Sequence, residues 1–395
     1  MEFSEFILAH DGEDPASLAL SRSRYAADVD DFDLALTTLE VRRKLRTKVP
    51  QWYAVPSLRF PLRLSGEQCS SASTAHYKAS LVQGRVADLT GGLGVDSWAF
   101  AQVATEVLYN EMRPELAAAA SANFAALGLT NVRVSSCELL PGNVSSVLAG
   151  FAPDVIFLDP ARRASDGRKV FRLEDCQPDV LQLLPELLAA APRVLLKLSP
   201  MADITLVCRQ LGCVKAVHVV AAEGECKELL LLLERGYIGP YSLFVYENGS
   251  VLEIPGQAGN DGTVIGNGVM ADPDRPSFLF EPGKALLKAG AFDLPCRYGL
   301  AKLGRHTHLY TASAPVEALT PFGKWFRILE VAPLDKRSIR DIGKRYPKSN
   351  VTARNIPLTS DALRKKLAVS DGGTLHIFGA KSVADNLLIV SEIAQ

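Results

Sequence analysis

The 395-residue chain carries 43 basic and 44 acidic side chains, a net charge of -1, and 48% of its residues are hydrophobic. At roughly 150 residues per domain this length predicts two or three domains, and so much apolar material excludes wholesale disorder. No apolar run approaches the roughly 20 residues that span a bilayer. The opening MEFSEFILAHDGEDP lacks signal-peptide character, and seven cysteines without a CxxC pair argue for reduced thiols, no zinc ribbon and a cytoplasmic protein.

Residues 1–75 read as a helical segment, with Leu18, Leu20, Tyr25, Leu34, Leu36, Leu39 and Val41 at helical spacing. The basic cluster Arg42, Arg43, Lys44, Arg46 and Lys48 reads as a solvated helix face or as a phosphate contact. From Gly84 to about Arg235 short apolar strands alternate with Ala/Leu-rich helices, which predicts right-handed crossovers and a parallel, doubly wound sheet. Strands are expected at Val86-Ala87, Val107–Tyr109, Val132–Val134, Val155–Leu158 and Val194–Leu198. A helix is expected at Glu115–Leu127, opened by Pro114 and closed by Gly128. Val214–Val220 and Leu229–Leu233 lie too close for a helical crossover and should pair antiparallel at the sheet edge.

Tyr241–Ile254 reads as a hairpin about the Asn248-Gly249 turn, and the Gly/Asn/Asp/Pro-rich stretch after it reads as a linker. The tail predicts strands at Phe326–Val331, Asn350–Arg354 and Thr374–Phe378, with helices at Ser338–Tyr346, Ser360–Lys366 and Ser382–Ile389. From Arg275 to Gln395 there are 19 basic and 10 acidic residues, so this small α+β unit is basic and the rest of the chain is acidic. Such asymmetry hints at a module that binds a polyanion. Arg337, Arg340 and Lys344 share a helix face with Arg345 beside them and Lys348 just beyond, an arrangement suited to a phosphate backbone.

The chemistry concentrates in VADLTGGLGVDSWAF, residues 86–100. A strand ends in Asp88, turns through Thr90, Gly91, Gly92 and Gly94, and enters a helix near Asp96. Glycine is needed where backbone turns sharply beside a ligand. Glu111 follows the next strand, where a carboxylate accepts both ribose hydroxyls, with Met112 after it, and Glu138 follows the third. Asp159-Pro160-Ala161-Arg162 ends the fourth. All lie at the carboxyl edge of the strands, where open α/β sheets bind ligands. Asp159 could alternatively cap a helix opened by Pro160.

This combination resembles the class I S-adenosylmethionine-dependent methyltransferases, over residues 76–236. DLTGGLG is similar to their D/E-x-G-x-G-x-G loop, with Thr90 in place of the first glycine. The resemblance implies a Rossmann-like sheet and S-adenosyl-L-methionine as cofactor. Asp88, Thr90, Gly91, Gly92, Gly94 and Asp96 would surround its methionine part, Glu111 and Met112 its ribose region and Glu138 its adenine. DPARR resembles the DPPY motif of enzymes that methylate exocyclic base amines. That implies catalytic roles for Asp159, Pro160 and Arg162, with Arg162 where the motif has an aromatic that stacks on a flipped base. Asp159 borders the cofactor as well.

EQCSSASTAHYKA (67–79), KLSPMADI (197–204), ECKELLLLL (225–233) and FLFEPGKALLKAGAF (278–292) resemble the bacterial subgroup with a C-terminal THUMP-like domain. The implied domains are a helical front at 1–75, the methyltransferase domain at 76–256, a ferredoxin-like segment at 277–320 and a THUMP-like RNA-binding unit at 321–395. Ser70, Ser71, Tyr77 and Lys78 would sit where such enzymes close over the cofactor, or the serines cap a helix. Lys197 either meets substrate phosphate or snorkels at a strand end. His306 and His308 would share a face on a strand, but no third ligand is evident, and no metal is expected. The reading is therefore an enzyme that methylates a base nitrogen of tRNA or rRNA, with RNA as partner and the oligomeric state open. Its rivals are a small-molecule methyltransferase and a non-catalytic RNA-binding protein on the same scaffold.

Overall fold

Short strands rich in Val, Ile and Leu cannot bury both faces alone, and Ala/Leu-rich helices between them supply the cover. The computed structural model describes residues 1–162, 173–254 and 278–394. They fall into two compact units, Met1–Val217 with Glu228–Tyr241, and His218–Lys227 with Ser242–Gln395.

The first unit begins with short helices around the 17-residue helix Phe32–Lys48, which Asp31 caps by accepting from Leu34 N. Phe6, Ile7, Leu18, Phe32, Leu36 and Leu39 form a small core of their own. Arg42 departs from a solvated basic face. Its guanidinium is buried, donates to Asp11 Oδ1 at 3.0 Å and lies over the Tyr53 ring at 4.6 Å. A cation stays buried only with partners of that kind, and spacing along one helix cannot reveal them.

The strands of this unit's large sheet are β1 (Arg85–Asp88), β2 (Glu106–Asn110), β3 (Val132–Ser135), β4 (Val155–Leu158), β5 (Arg193–Leu198), β6 (Val214–Ala222) and β7 (Glu225–Glu234), of which β6 and β7 run on into the second unit. Their order is β6-β7-β5-β4-β1-β2-β3. β1 pairs in parallel with β2 and β4, β4 with β5, and β2 with β3. β7 is antiparallel to β5. Of the expected final pair, β7 is therefore interior and β6 lies outside it. Helices Val95–Ala101, Pro114–Ala126, Val180–Ala190 and Ile204–Leu211 fill the crossovers. Chain order reverses between β1 and β4, which opens a crevice at their carboxyl ends.

In the second unit the hairpin Ser242–Glu247/Ser250–Ile254 turns at Asn248 and Gly249, whose φ values of 51° and 79° suit a type I′ turn. A seven-stranded sheet follows, with Gly323–Pro333 and Asn386–Ile393 in its centre. Helices Lys336–Arg345 and Ser360–Leu367 share one core with Ile377, Leu388 and Val390. Phe326, Phe378 and Ile389 build the other, with Leu303 and Leu309.

Two expectations fail here. Ser382–Ile389 is not a helix. Ser382–Asp385 is a turn closed by Ser382 N to Asp385 O at 2.7 Å, and Asn386–Ile393 is a strand paired on both sides. A continuous apolar run looks alike in a buried helix and a central strand, and pairing decides. His306 and His308 share no strand, because both lie in the connection before Tyr310–Ala312 and His308 has φ 51°.

Candidate active site

The Gly-rich turn is built around Asp88. Its carboxylate, buried at the end of β1, accepts from Thr90 N at 3.1 Å and from Ser97 Oγ at 2.6 Å. Burial pushes its pKa up to about 7 against the pull of the Ser97 hydrogen bond. Gly91 donates its N–H to Asn110 O at 2.8 Å, and a Cβ there would lie 2.1 Å from the Tyr109 ring. No side chain fits at that contact. Gly92 and Gly94 have φ values of 54° and 92°, the left-handed region where glycine is favoured. The Tyr109 hydroxyl donates to Gly92 O at 2.6 Å, which fixes the turn from beneath.

The end of β2 meets the same turn. Glu111, mostly buried, accepts from Gly92 N and Arg113 N, each at 3.0 Å. A carboxylate held between a glycine loop and its own following backbone has a fixed direction, as recognition of a diol requires. Asn110 Nδ2 donates to Cys137 O at 2.9 Å and its Oδ1 accepts from Cys137 N at 3.0 Å, which ties β2 to the segment carrying Glu138. Glu138 and Met112 are exposed at this edge. Asp88, Thr90, Gly91, Gly92, Gly94 and Glu111 thus form one connected wall.

Asp159 joins that wall from β4. Its backbone N–H donates to Thr90 Oγ1 at 2.6 Å, so the residue that replaces a glycine in the loop fastens the DPAR segment to it. Pro160 leads into the two-residue strand Ala161–Arg162, paired antiparallel with Cys176–Gln177, so Asp159 has no helix to cap. The side chain of Arg162 lies outside the described residues.

The Asp159 carboxylate is engaged by Lys197 of β5, whose Nζ donates to Oδ2 at 2.5 Å. Burial opposes the charge on Lys197, but Asp159 and Glu228 outweigh it and hold its pKa above the ordinary lysine range. Lys197 is therefore spent on carboxylates. Glu228 of β7 places Oε2 3.8 Å from Lys197 Nζ and Oε1 2.7 Å from Lys78 Nζ. Lys78, fully buried, also donates to Ser70 Oγ at 3.0 Å and pairs with Asp96 Oδ1 at 3.2 Å. Ser70 Oγ donates to Asp96 Oδ2 at 2.9 Å. Ser71 instead caps the helix Ala72–Ala79 by accepting from Thr74 N.

Asp96, Lys78, Glu228, Lys197 and Asp159 thus form a continuous chain of charges along the carboxyl edge. Neither Glu228 nor Asn110 stands out in the sequence. The signals were a carboxylate inside ECKELLLLL, just before the run Leu229–Leu233, and a polar residue ending an apolar strand.

The second unit carries Arg337, Arg340, Lys344 and Arg345 on the helix Lys336–Arg345, with Lys348 just beyond it. Its inner face is tight, since a Cβ at Gly343 would lie 2.0 Å from Leu367 O. Arg337 and Arg340 are 86% and 68% exposed and stand 3.8 Å from Asp341. Lys344 and Lys348 are exposed, and Arg345 pairs with Glu330 at 2.6 Å. Among the described residues no group of three or more His, Cys, Asp and Glu could hold a metal, and no helix is long and apolar enough to cross a membrane.

Comparison with known proteins gives the following. Residues 323–392 match the THUMP domain-like family and residues 278–319 a ferredoxin-like domain family. The chain is 27% identical over 321 residues to an uncharacterised S-adenosylmethionine-dependent methyltransferase of Mycobacterium tuberculosis strain CDC 1551, covering 79% of this chain and 81% of the relative. The counterpart in strain H37Rv matches with the same identity and coverage. A crystal structure from Porphyromonas gingivalis W83, of a protein assigned as a methyltransferase, superposes with a TM-score of 0.84. It is 29% identical and covers 100% of this chain and 98% of its own.

Proposed function

We propose that this S-adenosylmethionine-dependent methyltransferase methylates a base nitrogen of structured RNA, tRNA or rRNA, with Asp159 as the residue that orients the target amine. The observation that carries the reading is the placement of Asp159, whose backbone N–H is fastened to the glycine turn through Thr90 Oγ1 and whose carboxylate, 36% exposed, stands at the crevice. The turn fits the cofactor. A Cβ at Gly92 would meet nothing nearer than Thr90 O at 4.0 Å, so the turn leaves open space there, and the carboxylate of Glu111 is fixed at the end of β2. Asp88, Thr90, Gly91, Gly92, Gly94 and Asp96 hold the methionine part, Glu111 and Met112 the ribose side, and Glu138 the adenine.

S-adenosylmethionine supplies an electrophilic sulfonium methyl, so the protein need only place the nucleophile. The Asp159 carboxylate and the backbone carbonyl of Pro160 accept the two hydrogens of a flipped-out exocyclic amine, which aims the nitrogen lone pair at the methyl group. Positioning and local electrostatics provide the catalysis. Arg162 takes the position of the stacking aromatic. The unit at 321–395 docks the RNA backbone through Arg337, Arg340, Lys344, Arg345 and Lys348, all remote in sequence from the crevice. Lys197, engaged by Asp159, acts inside the crevice rather than on phosphate.

The test is transfer of labelled methyl groups to RNA from a strain deleted for the gene. The native protein is expected to label this RNA and Asp159→Ala to lose that labelling while still binding cofactor in calorimetry. Full labelling by Asp159→Ala would remove the assigned role, and no labelling by the native protein would remove RNA as substrate.

A further inference from the structure

The chain of charges reaching back from Asp159 contains a lysine with two carboxylates to choose from. Lys78 has no such choice. Its ammonium donates to Ser70 Oγ at 3.0 Å and to Glu228 Oε1 at 2.7 Å, and it is ion-paired with Asp96 Oδ1 at 3.2 Å. That fixes Glu228 by one oxygen and leaves the other, Oε2, facing Lys197 Nζ at 3.8 Å. The gap is about 1 Å more than a charge-assisted hydrogen bond. Small rotations at the end of a flexible lysine side chain close it. Glu228 is 3% exposed, so its free oxygen has little water to turn to.

The reaction gives Lys197 a reason to move. An amine nitrogen that bonds to a methyl group becomes positive, and an ammonium held 2.5 Å from the carboxylate that orients the amine opposes that charge. A carboxylate already occupied by a cation is also a poorer acceptor for the amine hydrogens.

We infer that Lys197 is a displaceable counterion, which closes on Asp159 in the free enzyme and transfers to Glu228 Oε2 when the substrate amine takes Asp159. Glu228 is then a positioning residue, and Lys78 is the anchor that keeps Glu228 facing Lys197. This rests on the reading of Asp159 as the amine acceptor. The same contacts explain why the segment 70–79 belongs to the crevice, since Lys78 holds Glu228 and both Ser70 and Lys78 hold Asp96 in the first turn of the helix after the glycines.

Two measurements test it. The first needs no substrate: a crystal structure of Asp159→Asn, which removes the negative charge as occupation by an amine would neutralise its acceptor role. Lys197 Nζ is expected within about 3 Å of Glu228 Oε2, and a lysine that stays on the substituted side chain overturns the exchange. The second is Glu228→Gln, assayed with cofactor and RNA from the deletion strain. A loss of about ten- to hundredfold in kcat/KM for RNA is expected, with the cofactor Kd changed less than about twofold. An unchanged kcat/KM, or an equal loss of cofactor affinity, overturns the role of Glu228. If Glu228→Gln fails to fold, the Asp159→Asn structure decides. Retained methyl transfer by Asp159→Ala would instead sink the reading of Asp159, whichever way Lys197 turns.

Discussion

The two units use charge in opposite ways. At the crevice of the first, Asp88, Glu111, Lys78 and Glu228 are buried and each is fixed by named hydrogen bonds. On the helix Lys336–Arg345 of the second, Arg337 and Arg340 stand in solvent with no close hydrogen-bonded partner given by their own acidic neighbour at 3.8 Å. Buried charge acts through geometry, so one substitution removes a function and salt matters little. Exposed charge acts through its sum, so several residues must change and salt competes with all of them.

That contrast can be broken at four places. The largest expected effect is on stability. Burial raises Asp88 to about 7 in the folded chain, while the unfolded carboxyl titrates near 3.8. Between about pH 4 and pH 7 the unfolded state ionises first, so the native chain loses stability as pH rises and levels off above the folded pKa, by up to about 4 kcal/mol. Asp88→Asn should lack this decline, which denaturant unfolding across that pH range would reveal as a growing difference in favour of the variant. A constant difference between the two proteins would contradict the buried ionisation.

Next in size, Asp159→Ala should cost about a hundredfold in methyl transfer with RNA affinity unaltered, measured by label incorporation and filter binding. Glu111→Ala should weaken cofactor binding about tenfold or more, since a charged acceptor fixed by two N–H groups is lost. Calorimetry with S-adenosylmethionine measures it, and RNA binding serves as the control. The smallest effect is expected for Arg337, Arg340 and Lys344 changed together to Ala. RNA affinity should fall about tenfold at moderate salt, and the slope of log affinity against log salt should shrink by about 2 to 3. Cofactor affinity should not move. A salt slope unchanged by the triple variant would place the RNA contact elsewhere.

Much of the crevice was legible because its residues are local in sequence. DLTGGLG, Glu111 and Asp159 each end a strand of a parallel sheet, and a parallel sheet brings strand ends to one edge. The unread part is what tertiary pairing alone creates. Lys78 was expected beside the crevice, but its meeting with Glu228 across 150 residues was not. Thr90 was expected beside the cofactor in place of the motif's first glycine, but that its hydroxyl accepts from Asp159 N–H was not foreseen. Arg42 looked like part of a solvated face, until Asp11 and Tyr53 closed over it. Ser382–Ile389 was misread as a helix for a different reason: the apolar strand that begins at Asn386 lies between two partners and has no alternation to betray it.

Methylation of a base nitrogen in RNA through Asp159 can be read from the modified nucleosides of the cell. Mass spectrometry of RNA digests from a deletion strain and its parent should show one N-methylated nucleoside missing from the deletion strain. It should return with the native gene and stay missing with Asp159→Ala. Identical nucleoside profiles in the two strains would exclude RNA base methylation by this protein, and restoration by Asp159→Ala would exclude the role of Asp159.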